Sequence, residues 1–395
     1  MKRILLILGL LLTAAPMHAA APVLVGMTDT AAYFPLLEGR RIAVLTNHTA
    51  VADLPGAPGA DAAGRVHLVD LLHRRGFDVT GIFSPEHGFR GEADAGAKVG
   101  DGTDPATGIA IRSLYNGNAQ RPSETAMRSF DLLLVDMQDV GLRFYTYHIS
   151  MLRLMDACAA AGKPVVVLDR PNPNGHHIDG PLLEEAFHSG VGMIPVPVLH
   201  GLTMGEIARM AVGEGWIAPC RLTVVRCRNY THATEYHLPV APSPNLRTQR
   251  AIYLYASLCL FEGTVASVGR GTEHPFECFG HPTLAGFPDT FVPRSTPGAL
   301  HPPLEGELCR GLDLGGMPLA EAREVGFTLR YVAEALRASG MRERFFKPMF
   351  EKLTGTAYVR ELLLGGADEA TVRARWEPAL TRYRQLRLHY TLYDD

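Results

Sequence analysis

Four short apolar runs, each closing in a knot of polar residues, constrain this chain more than any other feature. Ile42-Ala43-Val44-Leu45 ends in Thr46-Asn47-His48-Thr49, and the run from Val79 to Phe83 ends in Ser84-Pro85-Glu86-His87-Gly88. Phe130-Asp131-Leu132-Leu133-Leu134-Val135-Asp136 leads into Met137-Gln138-Asp139-Val140-Gly141, and Val165-Val166-Val167-Leu168 into Asp169-Arg170-Pro171-Asn172-Pro173-Asn174-Gly175. Apolar runs of this length read as strands buried on both faces. The stretches between them suit helices, at 66–72 before Gly76 and at 149–161 before Gly162. That alternation predicts an α/β fold, a Rossmann-like parallel sheet with helices on both faces. All four polar ends then share one edge of the sheet, the edge at which open α/β sheets bind ligands. No G-x-G-x-x-G joins any strand to its helix, so the layout does not imply a dinucleotide, and no cofactor is expected.

The chain is long for one core at 395 residues, and the strand–helix rhythm fades near residue 229. The expected organisation is a signal peptide at 1–21, a Rossmann-like catalytic domain at 22–228, and a smaller α+β domain at 229–395 that completes the cleft. Thr203, with Glu206 three residues on, predicts a capping box for a helix over 204–213. In the second half, 248–258 reads as a helix and Phe327-Thr328-Leu329 as a strand. Loops are expected up to about residue 320, and helices near 331–353 and 368–386.

Lys2 and Arg3 precede the apolar run from Ile4 to Leu12, and small residues follow at Ala14, Ala15, Ala19, Ala20 and Ala21. This is the order of a secretory signal peptide, cut between Ala19 and Ala21, without a nearby Cys for a lipid anchor. The expected location is periplasmic or secreted, with no membrane attachment after cleavage, because no later run is long enough to span a bilayer. A net charge of -3 without a basic run argues against nucleic acid as a partner. The six cysteines form no CxxC and no zinc spacing, and most read as small buried hydrophobes.

The polar strand ends gather Asn47, His48, Glu86, His87, Arg90, Gln138, Asp139, Arg143, Asp169, Arg170, Asn172, Asn174 and His200. Tyr145 and Tyr147 lie close by in sequence. The later domain adds Asn245, Glu262, Arg270, Thr272 and Glu273. Carboxylates, amides, arginines and tyrosines facing one cleft suit a sugar bearing hydroxyl, acetamido and carboxylate groups. Glycoside cleavage needs a proton donor and a base or nucleophile. Glu86, beside an apolar strand end, is the first choice for the donor, and Asp139, Glu262 and Glu273 are candidates for the second role. The plainer readings are a solvated Glu86–His87 pair, Asp139 as a cap, Arg143 and Arg270 in salt bridges, and His200 as a bonded core histidine. A metal hydrolase using His48, His87, Asp139 and His200 is a rival without HxH, HExxH or Asp-x-Asp spacing. A serine hydrolase lacks its G-x-S-x-G elbow.

Several blocks, in order, resemble a known family. They are Thr46-Asn47-His48-Thr49, Ser84-Pro85-Glu86-His87-Gly88, the run from Asp136 to Tyr147, Leu168 to Gly175, and His200 to Glu206. Pro242-Ser243-Pro244-Asn245, Phe261-Glu262-Gly263-Thr264 and Gly269-Arg270-Gly271-Thr272 complete the set. Together they resemble the exo-β-N-acetylmuramidases of the NamZ type, long a domain family of unknown function (DUF1343), from about residue 24 to Tyr393. The resemblance implies release of terminal β-1,4-linked N-acetylmuramic acid from the non-reducing end of peptidoglycan fragments. The expected partners are therefore muramic-acid-terminated saccharides. It also implies a Rossmann-like domain, a smaller C-terminal domain and a cleft between them, with the catalytic glutamate at Glu86. His87, Asp139 and Glu262 accompany Glu86 as catalytic candidates, and the remaining polar residues named above as sugar ligands. A wall-sugar binding protein without turnover and a β-N-acetylglucosaminidase are the alternatives.

Overall fold

The structure, a computed structural model, describes residues 21–90, 100–114 and 122–395. The expected signal peptide therefore lies, save Ala21, outside the described residues. Twelve strands are assigned among these residues. In chain order they are β1 (Ile42–Thr46), β2 (Val51–Asp53), β3 (Arg65–His67), β4 (Val79–Ser84), β5 (Gly102–Thr103), β6 (Ala110–Ser113), β7 (Leu132–Asp136), β8 (Val165–Leu168), β9 (Leu222–Val225), β10 (Cys278–His281), β11 (Asp289–Phe291) and β12 (Cys309–Asp313).

Seven strands build the main sheet in the order β5-β6-β4-β1-β7-β8-β9. Every neighbouring pair is parallel except β5–β6. β1 sits near the middle and is buried along its whole length. The period of two divides each central strand between two cores. Ile42, Val44, Leu132, Leu134, Val166 and Leu168 face one, with Met27, Tyr33 and Leu72. Ala43, Leu45, Leu133, Val135, Val165 and Val167 face the other. This second core continues without a break into Phe261, Phe279, Phe350 and Trp376 of the C-terminal part. The two lobes thus share apolar burial, which holds the cleft between them.

The capping box at Thr203 is present, with Glu206 bonding back to the Thr203 amide, and opens the helix Met204–Gly213. Thr248 caps the helix Gln249–Leu258. Other expectations are corrected. Residues 66–72 divide between strand β3 and the helix Leu68–Arg74. Phe327-Thr328-Leu329 is not a strand. Phe327 and Leu329 are buried, and the Thr328 hydroxyl accepts from the amide of Arg330 as the helix Arg330–Ser339 begins. That helix stops at Gly340, whose φ of 63° is left-handed; a short 3₁₀ turn follows at Arg342–Phe345, and α-helix resumes at Met349–Thr354. The expected loops around 278–313 contain the small antiparallel sheet β10-β12-β11. Its strands are short and rich in Gly, His and Asp, so they carry little β signal. All six cysteines are unpaired thiols. Among the described residues no helix is long and apolar enough to cross a membrane.

The C-terminal helix Glu369–Arg387 reaches back onto the first lobe. Arg373 pairs with Asp179 at 2.7 Å, the Tyr383 hydroxyl donates to the His200 carbonyl at 2.7 Å, and Arg387 to the Gly201 carbonyl at 3.0 Å. Beyond the helix, the Leu392 amide donates to Glu206 and the Tyr393 hydroxyl to Asp169, both at 2.7 Å.

Candidate active site

β4 and β7 flank β1, and their C-terminal ends open into a cavity of about 310 Å³. After β4 come Glu86 and His87, and after β7 come Phe144, Tyr145, Thr146 and Tyr147. Ser243, Leu246, Tyr255, Cys259, Glu262, Arg270 and Phe276 form the opposite wall, while Val191, Met349 and Leu353 complete the lining.

Glu86 is held by backbone and side chain together. The Gly88 amide donates to the Pro85 carbonyl at 3.1 Å, making Glu86 and His87 the central pair of a tight turn. His87 has φ 69°, as the third residue of a type II turn requires, and Gly88 follows at φ 77°. A left-handed histidine costs on the order of 1 kcal/mol, and such strain concentrates at functional sites. The Thr146 hydroxyl donates to Glu86 Oε2 at 2.6 Å. Thr146 was not among the residues expected at the site. Its position just before the helix Tyr147–Ala160, after a strand end already singled out, was the available signal.

Tyr145 and Tyr147 line the cavity but spend their hydroxyls on structure. Both donate to the Pro242 carbonyl, at 3.1 and 2.7 Å. His48 bonds the neighbouring Ala241 carbonyl at 2.8 Å. Three side chains of the first lobe therefore anchor the segment that brings Ser243 to the cavity. Burial raises both tyrosine pKa values, so the phenols stay protonated donors. Burial lowers that of His48 and keeps it neutral.

On the far wall, Arg270 Nε donates to Glu262 Oε1 at 2.7 Å, and the Cys259 thiol to Glu262 Oε2 at 3.6 Å. Burial alone would lower the Arg270 pKa, but the charge of Glu262 and its hydrogen bond outweigh it and leave the guanidinium firmly charged. Thr272 stays off the lining. Its hydroxyl donates to the Gly269 carbonyl at 2.6 Å and so closes the loop that carries Arg270.

The remaining expected ligands divide in two. Asn47, Gln138 and Asp139 are buried at the ends of β1 and β7, and each keeps unspent capacity. Asn47 Nδ2, Gln138 Oε1 and Asp139 Oδ2 lack a hydrogen-bond partner among the described residues. Asp139 Oδ1 accepts from the Gly141 amide at 2.8 Å, and Oδ2 lies 3.7 Å from His148 Nδ1, an ion-pair distance too long for a hydrogen bond. The others make structural contacts, although Arg143 Nε, His200 Nε2 and Asn245 Oδ1 likewise have no hydrogen-bond partner among the described residues. Arg143 is fully buried, its guanidinium on the carbonyls of Pro181, Val196 and Leu353, and burial pulls its pKa down to about 9. Asp169 accepts from the Thr203 and Tyr393 hydroxyls and the Gly205 amide. Arg170 forms a buried ion pair with Asp136 and donates to the Val51 carbonyl. Asn172 bridges the Leu202 carbonyl and the Asn174 amide, and Asn174 donates to the carbonyls of Val140 and Ile252. Gly141 permits this packing, since a Cβ there would lie 2.0 Å from Asn172 Oδ1. His200 accepts from the Leu202 amide, Asn245 donates to the Gly298 carbonyl, and Arg90 pairs with buried Asp104. The four rival metal ligands do not assemble: among the described residues no three His, Cys, Asp or Glu side chains are grouped to hold an ion.

A parallel α/β sheet with a carboxyl-bearing, sugar-sized cavity at its C-terminal edge defines an α/β protein built to act on a small polar ligand. The chain belongs to the NamZ family of exo-β-N-acetylmuramidases. The family's N-terminal model matches residues 42–250 and its C-terminal model residues 253–393. These meet some twenty residues beyond 229, where the strand–helix rhythm fades. The chain is 34% identical over 380 residues to the peptidoglycan β-N-acetylmuramidase NamZ of Bacillus subtilis strain 168, covering 91% of this chain and 89% of that protein. Two crystal structures of DUF1343 proteins from Bacteroides fragilis NCTC 9343 share the fold. One has TM-score 0.85 at 47% identity, covering 95% of this chain and 100% of that one. The other has TM-score 0.77 at 25% identity, covering 94% and 99%.

Proposed function

We propose that this chain is an exo-acting glycoside hydrolase that releases terminal β-1,4-linked N-acetylmuramic acid from the non-reducing end of peptidoglycan fragments. Glu86 is its general acid. The observation that carries this reading is the Glu86 carboxyl at the end of β4, lining a cavity and fixed by the Thr146 hydroxyl. Membership of the NamZ family supplies the reaction class. A cavity of about 310 Å³ fits one substituted sugar rather than a run of glycan, in keeping with attack at a chain end.

In the reaction Glu86 donates its proton to the glycosidic oxygen as the C1–O bond breaks and the bonding pair leaves with the departing sugar. For the second role, both oxygens of Glu262 are engaged, and Asp139, whose Oδ2 has no hydrogen bond among the described residues, lies behind the cavity lining. Glu86→Gln tests the assignment. Hydrolysis of a muramic-terminated disaccharide should fall by about 1,000-fold. An aryl muraminide with a good leaving group, needing less protonation, should lose less. Near-normal turnover of the disaccharide would overturn the role of Glu86.

We also propose that the protein works in the periplasm or outside the cell. The charged, apolar and small-residue order of residues 2–21 supports export. Sequencing the N-terminus of protein recovered from the envelope should find a start near Ala20 to Pro22; a chain that retains Met1 would refute cleavage, and recovery of all the protein in the cytoplasm would refute export.

A further inference from the structure

The Glu262–Arg270 pair on the far cavity wall has a geometry that the acid-catalysis reading leaves unused. Arg270 is the only Arg or Lys lining the cavity among the described residues. Glu262 takes its Nε alone, and among the described residues the two terminal nitrogens, Nη1 and Nη2, have no hydrogen-bond partner. The side chain is 15% exposed, and it is the cavity that it lines.

The head group is also held rigidly. Phe276 lies under the guanidinium at 4.8 Å. Gly269 and Gly271 on either side both have φ of 78°, and a Cβ on Gly271 would lie 2.3 Å from the Arg294 carbonyl oxygen. The loop therefore has one backbone path. A guanidinium held through Nε by a carboxylate, over an aromatic face, presents its remaining pair of parallel N–H groups as a fork. Such a fork matches a carboxylate bidentately.

We infer that Arg270 reads the lactyl carboxylate of the muramic acid residue, and that Glu262 is a positioning residue for Arg270 rather than the second catalytic carboxylate. This rests on the muramidase reading above and names the group that sets its substrate preference. The lactyl group is what muramic acid adds to glucosamine, so Arg270 is the residue that tells the two sugars apart. A site that pairs a buried group of the correct ligand rejects the analogue lacking it, because the group is left unpaired.

The test uses aryl β-N-acetylmuraminide, the corresponding glucosaminide, and the muraminide with its lactyl carboxylate converted to the methyl amide. For wild type, kcat/KM should fall by about 100-fold from the first substrate to either of the others. Arg270→Met should lose about 100-fold on the muraminide and less than about threefold on the glucosaminide, with Arg270→Lys between them because it keeps the charge without the fork. Glu262→Gln should raise KM for the muraminide several-fold with kcat nearly kept. A wild type that cleaves no muraminide would defeat the activity reading itself. If wild type cleaves it but Arg270→Met lowers both sugars equally, the carboxylate assignment fails and the activity stands. A kcat loss in Glu262→Gln as deep as that of Glu86→Gln would make Glu262 catalytic and overturn its positioning role.

Discussion

Two strand ends of the same parallel sheet, near-identical in kind, have opposite fates. After β4, Ser84 to Gly88 opens on the cavity with a strained histidine and a carboxyl held by one threonine. After β8, Asp169 to Gly175 carries a carboxylate, an arginine and two asparagines, and all four are buried on structural partners. The difference lies in what covers each end. The β8 end is closed by the start of the helix Met204–Gly213 and by Tyr393 from the C-terminal tail. The β4 end faces its opposite wall across a cavity of about 310 Å³. A polar strand end in an α/β sheet is thus a site only where the rest of the chain declines to fill it.

The largest effect that sharpens this contrast is the loss of about 1,000-fold in rate expected for Glu86→Gln, about 4 kcal/mol of transition-state stabilisation, with little change in melting temperature. The matching change at the other end is Asp169→Ala. It leaves two hydroxyls and one amide buried without their acceptor, and should cost about 3 kcal/mol of stability while kcat at 20 °C stays near wild type. Denaturant melts beside turnover assays read both. The contrast breaks if Asp169→Ala loses activity without losing stability.

Thr146→Val comes next. The two side chains are nearly the same shape, so the change removes the 2.6 Å bond to Glu86 and little else. A drop of about 10-fold in kcat with KM unchanged is expected, as befits a group that only orients the acid. No loss at all would show that the Thr146 bond is not what fixes Glu86.

The sheet, its edge and the Thr203 capping box were readable because each is a local matter of period, run length and one capping pair. That Glu86 stands at the open end of β4 was readable for the same reason. The roles of Asp169, Arg170, Asn172 and Arg143 were not, since their partners lie far along the chain. Arg143 meets the Leu353 carbonyl, 210 positions on, and Asp169 meets Tyr393, 224 positions on. Sequence marks a residue as polar at a strand end, but which distant segment closes over it is decided by tertiary packing. Thr146 stands at a helix start, but no cap bond forms there and its hydroxyl turns to Glu86, a contact 60 positions away that local pattern does not show.

Stability should also depend on pH, with a sign fixed by the buried histidines. Burial lowers the pKa of His48, His67 and His200 below the ordinary 6.5. The unfolded chain therefore takes up protons first as pH falls. Their contribution is full above pH 6.5 and is lost as pH drops through the depressed folded values. Each removes up to about 1.4 kcal/mol per pH unit. Asp169 acts oppositely. Burial raises its pKa to about 6, so its contribution is present below its ordinary 3.8 and lost as pH rises through 6. Burial lowers the pKa of His176 and His281 as well, and five histidines against one aspartate leave a net fall in melting temperature between pH 7 and 5; a flat profile would show that the histidines take up protons equally in the folded and unfolded states.

The smallest effect tests how the cavity's far wall is tied to the sheet. Tyr145 and Tyr147 both donate to the one Pro242 carbonyl, and their rings meet edge to face at 4.7 Å. Removing either hydroxyl leaves that carbonyl still paired, so Tyr145→Phe and Tyr147→Phe should each cost about 0.5 kcal/mol. Removing both leaves a buried acceptor without a partner, and the double variant should cost about 2 kcal/mol, more than the sum of the singles. A double-mutant cycle on stability measures the excess. KM should follow it, rising only in the double variant as Ser243 and Leu246 shift with the loosened segment. Strict additivity would mean that the two hydroxyls hold the wall independently, and that the shared carbonyl is not what ties the cavity's wall to its sheet edge.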